Sequence, residues 1–307
     1  MENKVAFFYS RVLFWGFGLS LILNIAGTGF WISEILGAVV GFGILYFVKR
    51  VYDGKWFKIL TGCLFAFLST IILANMGGTM YLKETPNCIL TFVPLIVGFM
   101  VSRTQESAFK RTIYLLFIFT LFMFFMSSGI LAPLVKTENL LPLSFEVKNI
   151  LLGAAIFVLT SVTPVLCLND FKDKKSLLIN YVASIITVLV LSFLVITILG
   201  SQEAALYRYP EFILLKRIKI YEFFSNVENL FVIMIVTDFI ATVAVGFKNV
   251  NLKGKILPYV PLAICWIVAS YACSRTAIMT FLYKYYSIGL LLLAIVTFFP
   301  KKLLNKK

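Results

Sequence analysis

Apolar runs about twenty residues long follow one another along almost the whole chain, with little more than a turn between them. A helix needs about 20 apolar residues to cross roughly 30 Å of hydrocarbon. In lipid every backbone N–H and C=O must find a partner inside the protein, which leaves helices or closed barrels as the spanning structures. The runs fall at about 7–26, 30–48, 57–78, 86–102, 112–131, 150–168, 177–199, 223–246, 256–274 and 279–299. Over 307 residues the chain is 61% hydrophobic and 14% charged, whereas ordinary domains carry about 25% charged residues. These features predict an all-α integral membrane protein of about ten transmembrane helices, one membrane domain over 1–307 with no soluble module. The first run lacks a convincing small-residue cleavage site and is read as a retained span.

The net charge of +14 would suit nucleic acid, but its distribution points to the lipid bilayer instead. Ten spans place both termini on one side. That side gathers Lys4 and Arg11, then the basic residues within 49–58, 103–111, 172–175, 248–255 and 301–307, which is nineteen of the 28 Lys and Arg. Cytoplasmic loops are the basic ones, so both termini are expected in the cytoplasm and no nucleic-acid partner is expected. Histidine is absent, which excludes histidine acid–base chemistry and histidine metal sites. The five cysteines form no Cys-x-x-Cys pair, so neither a zinc site nor a disulfide framework is indicated. Gly54-Lys55 and Gly254-Lys255 lack the rest of a phosphate-binding loop. No catalytic residue and no metal ligand is predicted.

Interruptions and polar residues inside the runs carry the functional reading. The first run holds Trp15-Gly16-Phe17-Gly18 and ends in Asn24-Ile25-Ala26-Gly27-Thr28-Gly29. Glycine weakens a helix by about 1 kcal/mol relative to alanine. Such a stretch is either a substrate-lining break or a close helix–helix contact. The sixth run carries Thr160-Ser161-Val162-Thr163-Pro164. Its proline removes a backbone donor, and three hydroxyls stand ready to satisfy the carbonyls released. If the chain is two five-span halves, about 1–131 and 148–307, the two interruptions occupy matching positions, as an inverted repeat would place them.

Charge at bilayer depth costs about 2.5–3.5 kcal/mol or more and so faces a cavity or a partner. Of the fourteen acids, Glu34 and Asp238 sit well inside a run. Asp238 shares a helix face with Thr242 and follows Thr237, a grouping that suits Na⁺, a proton relay or a bond to a neighbouring helix. Glu34 reads as an interfacial or interhelical bond. In the loop from about 200 to 222, Phe212, Leu215 and Ile218 alternate with basic residues. They suggest a short helix that lies on the outer membrane surface or packs on the protein.

Lys83-Glu84-Thr85-Pro86, then Gly98 and Ser102-Arg103-Thr104-Gln105-Glu106, resemble the GerAB-type spore germination permeases, as do Gly16-Phe17-Gly18, Trp31, Leu140-Leu141-Pro142 and Gly153. Tyr209-Pro210 through Glu222-Phe223-Phe224-Ser225-Asn226-Val227-Glu228 is the most similar stretch, although Asn226 stands where the family has arginine. The Thr160–Thr163 hydroxyls also replace an acidic residue expected in the sixth span. The resemblance runs over nearly the whole chain at low identity.

The resemblance implies the amino acid/polyamine/organocation superfamily and a 5+5 inverted repeat of the leucine-transporter type. It implies a nutrient-sensing subunit of a germinant receptor in the inner spore membrane, with a larger membrane subunit and a lipoprotein as partners. The ligand would be a small molecule such as an amino acid, held mid-membrane between broken helices one and six. The backbone near Trp15, Gly16 and Gly18 would receive its carboxylate at a half-helix N-terminus. Thr160, Ser161 and Thr163 would hydrogen-bond its polar groups, while Phe14, Trp15 and Phe157 would close the apolar side. Thr237 and Asp238 would hold Na⁺ or H⁺ if an ion is coupled. The main rival is an amino-acid secondary transporter; a membrane-embedded glycan polymerase or acyltransferase and a purely structural subunit are further ones.

Overall fold

The computed structural model describes residues 4–48, 51, 54–141, 146–168, 173–217, 228–250 and 256–298. Among these residues the secondary structure is helical throughout, with no strand. The first rod consists of α1 (Lys4–Leu13), a π-helical turn (Phe14–Gly18) and α2 (Leu19–Ala26). Then come α3 (Phe30–Phe47), α4 (Lys55–Met80), α5 (Asn87–Ser102) and α6 (Glu106–Leu131). The second half holds α7 (Val147–Leu168), α8 (Lys174–Leu199), two short helices α9 (Ser201–Leu206) and α10 (Pro210–Leu215), α11 (Glu228–Val250), α12 (Tyr259–Cys273) and α13 (Thr276–Phe298).

Seven helical stretches are long and apolar enough to cross a bilayer, counting Lys4–Phe47 as one, and two shorter apolar helices are α5 and α12. Bulky apolar side chains cover the exterior: Val39, Phe47, Phe125 and Phe281 are all at least 60% exposed. A water-soluble monomer rarely shows apolar patches larger than a few hundred Å², whereas lipid accepts such a surface. Hydroxyls, amides and charges turn inward instead, among them Ser10, Arg11, Thr187 and Asp238.

The chain reverses at Gly27, whose φ of 52° is a conformation that glycine adopts without steric cost. The reversal is visible in the packing on α7. Gly18 and Ile22 of the first rod meet Thr160 and Gly153, in descending order. On α3, Ser33, Gly37 and Gly41 meet Gly153, Phe157 and Val162, in ascending order. The first rod therefore runs antiparallel to α7 and α3 runs parallel to it.

Small residues let the central helices approach closely. Gly62 of α4 and Gly246 of α11 face each other's backbone, and a Cβ on either would lie 2.5 Å from the other's carbonyl oxygen. Around this centre the pairings repeat under exchange of the two halves. α3 packs on α7 as α8 packs on α1; α5 packs on α11 as α12 packs on α4; α13 packs on α7 as α6 packs on α1.

Two expected breaks take another form. In the first rod the helix continues through Phe14–Gly18 with wider winding, and Leu19 N–H donates to the Phe14 carbonyl five residues back. No half-helix end is exposed there, so the expected carboxylate-binding amides are spent on the helix itself. Helix α7 likewise runs unbroken through Pro164. One further expectation is corrected, and one open alternative is decided. Arg11, counted above as a charge of the cytoplasmic side, is fully buried within α1. The amphipathic stretch after Tyr209 packs on the protein, since Phe212, Leu214 and Leu215 of α10 are buried; Ile218 lies outside the described residues, as does Glu222–Val227.

Candidate functional site

Arg11 stands two turns into α1, and its guanidinium cannot stay in hydrocarbon unpaired. Its Nη2 donates to Asp238 Oδ1 of α11 and its Nη1 to Thr187 Oγ1 of α8 at 3.0 Å. The Phe7 ring, one turn earlier on α1, lies with its centroid 4.0 Å from the guanidinium carbon. Trp15, one turn later on the same face, donates its indole N–H to Asp238 Oδ2 at 3.2 Å. Both carboxylate oxygens thus have donors, and both charged side chains are 0% exposed. Removing one partner of such a pair costs about 3–5 kcal/mol because the other charge is left uncompensated.

Hydroxyls extend this hub. Ser10 donates to Ser184 Oγ at 2.6 Å, Tyr9 Oη reaches the Thr242 carbonyl at 3.4 Å, and Thr120 of α6 meets Thr237 of α11 at 3.0 Å. Four long helices, α1, α6, α8 and α11, are joined through these polar contacts.

The predicted ligand residues fall into one neighbourhood. The Phe14 ring lies 5.5 Å from both the Trp15 and Phe157 rings, and Gly18 sits beside Thr160. Ser161 and Thr163 are buried on the same α7 stretch. Two of its hydroxyls are already engaged within the protein. Thr160 donates to the carbonyls of Ile156 or Phe157, and Ser161 donates to the Phe157 carbonyl and meets Tyr181 Oη at 3.3 Å. A Cβ on Gly16 would run into the Ile72 side chain of α4; the residue is a packing glycine. Cavities of about 470 Å³ beside Trp31 and Leu140 and about 230 Å³ beside Phe42 and Tyr181 open elsewhere.

Thr237 and Asp238 are not adjacent partners in one site. Asp238 faces Arg11, while Thr237 bonds to Thr120 and the Met234 carbonyl. Thr242, expected on the Asp238 face, donates to the Asp238 carbonyl at 2.9 Å. Glu34 is 1% exposed, with one carboxylate oxygen that has no protein partner.

Arg11, at the centre of the polar hub, is not among the residues expected at a site. Its signal was available: an arginine inside an apolar run, spaced four residues from a tryptophan, in a chain with an acid inside another run. No protein-family model matches the chain, and no curated protein matches it either.

Proposed function

We propose that the protein is a permease-like sensor that binds a small molecule, an amino acid in the first instance, between the first rod and α7. The observation that carries the reading is the π-helical turn Phe14–Gly18. Single π turns inside α-helices recur at functional sites, and this one sets Trp15 against the buried Asp238 while Phe14 faces Phe157 of α7. Ligand would enter by displacing the Phe14–Phe157 contact, with Thr160 and Ser161 exchanging their intrahelical bonds for ligand bonds and the buried Thr163 hydroxyl joining them. Trp15 and Gly18 would line the opposite wall, and Gly16 would hold that wall against α4.

A ten-span, 5+5 inverted-repeat architecture is part of the proposal. It is supported by the exchange symmetry of the helix pairings and by the parallel and antiparallel order of their contacts. The germination setting, with its larger membrane subunit and lipoprotein partners in the inner spore membrane, rests on the sequence resemblance alone.

A thermal-unfolding screen of the purified chain against amino acids, nucleosides and sugars tests the reading, because bound ligand stabilises by mass action. At least one amino acid should raise the midpoint, and Thr160→Val and Thr163→Val should abolish that rise while leaving the proteins folded. A screen in which nothing shifts, or in which both variants respond like the wild type, overturns it. The second reading is a secondary transporter, favoured by the polar hub across α1, α8 and α11. Gradient-driven flux of the labelled ligand into liposomes would select it over a sensor that binds without transport.

A further inference from the structure

The hub has the composition of a site for a monovalent cation: a carboxylate, a hydroxyl oxygen and an aromatic face converge on one point from three helices. We infer that Arg11 is a tethered cation permanently occupying that site, so that neither Na⁺ nor K⁺ binds at Asp238. The inference uses the geometry of the hub alone and stands whether or not an amino acid binds between the first rod and α7.

Each oxygen that would coordinate a free ion is already engaged. Asp238 Oδ1 accepts from the guanidinium and Oδ2 from the Trp15 indole. Thr187 gives its own proton to the Ser184 carbonyl at 2.7 Å, which turns a lone pair toward Arg11 Nη1. The Asp238 carbonyl accepts from Thr242 Oγ1, and Thr237 Oγ1 is held by Thr120 and Met234. The Phe7 ring face, 4.0 Å from the guanidinium carbon, supplies the remaining cation contact, a geometry that ring quadrupoles favour. Among the described residues, Arg11–Asp238 is the one ion pair with both side chains fully buried. A guanidinium suits this place better than a hydrated metal ion, because it is weakly hydrated and presents fixed, planar donors. Held on α1, it also needs no entry path from water.

The test uses the full chain purified in lipid nanodiscs, with thermal unfolding followed in NaCl, KCl and choline chloride at equal ionic strength. Wild-type midpoints should coincide in the three salts. Arg11→Ala should unfold about 10 °C lower in choline. Millimolar guanidinium or methylguanidinium should restore part of that loss while leaving the wild type unmoved. The double variant Arg11→Ala/Asp238→Asn, which has no carboxylate to compensate, should fold and ignore every added cation. Should the single variant fail to accumulate while the double variant does, the uncompensated carboxylate is the cause, as the inference requires. A wild-type midpoint several degrees higher in NaCl or KCl than in choline overturns the inference. So does an Arg11→Ala protein that no cation stabilises, or a double variant rescued as well as the single one. If neither variant accumulates, the wild-type salt comparison decides.

Discussion

A carboxyl group taken out of water holds its proton more tightly, and Glu211 is the example outside the spans. It lies in α10, is 1% exposed and has an oxygen without a protein partner. Burial pushes its proton affinity well above the ordinary carboxylate range, against a smaller opposing contribution from its own backbone N–H. The folded chain therefore keeps a proton that the unfolded chain releases near pH 4.3. Glu211's contribution to stability is fully present below that value and falls as pH rises toward the folded-state pKa, by at most about 1.4 kcal/mol per pH unit. Thermal midpoints measured from pH 4 to 8 should fall more steeply for the wild type than for Glu211→Gln; parallel curves would refute the assignment. Nothing in the sequence announced this residue, because an acid near Arg208, Lys216 and Arg217 reads as part of a solvated loop. Asp238 was legible because an acid within a long apolar run has few explanations. Arg11 was less so, because a basic residue near the start of a first span resembles a flanking topology charge until its side chain is seen buried between α8 and α11.

At the scale of elements, glycines divide by what they face. Gly62 of α4 meets the Gly246 carbonyl of α11, and a methyl group there has only backbone to push against. Gly43 of α3 has nothing within 4 Å of its Cβ position. Gly62→Ala should destabilise the bundle by about 1–3 kcal/mol, the usual cost of overpacking, and Gly43→Ala should be neutral or stabilising by up to about 1 kcal/mol. Denaturant titration in micelles of the two variants beside the wild type measures the difference; equal effects would mean that α4 and α11 are not in close contact. The sequence located the weak points of the first and sixth spans but did not choose between break and contact. That choice depends on partners distant in the chain, such as Ile72 against Gly16 and Thr160 beside Gly18. Proline 164 was legible as a perturbation, yet the helix around it stays whole.

For the whole molecule, helix positions were readable and helix pairings were not. Among the described residues each of the ten apolar runs overlaps a helix, and seven helical stretches are long and apolar enough to cross a bilayer. Helices apolar all round carry no stripe that says which face turns inward, so the pairing of α3 with α7 or α5 with α11 could not be read from periodicity. Lys248 at the end of α11 reaches the Thr104 carbonyl between α5 and α6, so these ends lie together, on the side that the count of basic residues expects to be cytoplasmic. In a chain with its five cysteines replaced, a membrane-impermeant maleimide should label Gln105→Cys only after the cells are permeabilised and Glu84→Cys without that treatment. The opposite pattern would turn the molecule over and place the termini outside. The first rod adds a mechanical consequence. It is fastened before the π turn by Arg11 to α8 and α11, and after it by Ser20 to Tyr283 of α13 at 2.6 Å. A twist applied to either half must be absorbed in the winding between these anchors, and one i→i+5 turn that steps along a helix rotates the side chains it passes by about 100° per residue. Were the turn at Phe14–Gly18 to step along the rod, its first step would carry the Trp15 indole off the carboxylate it now caps.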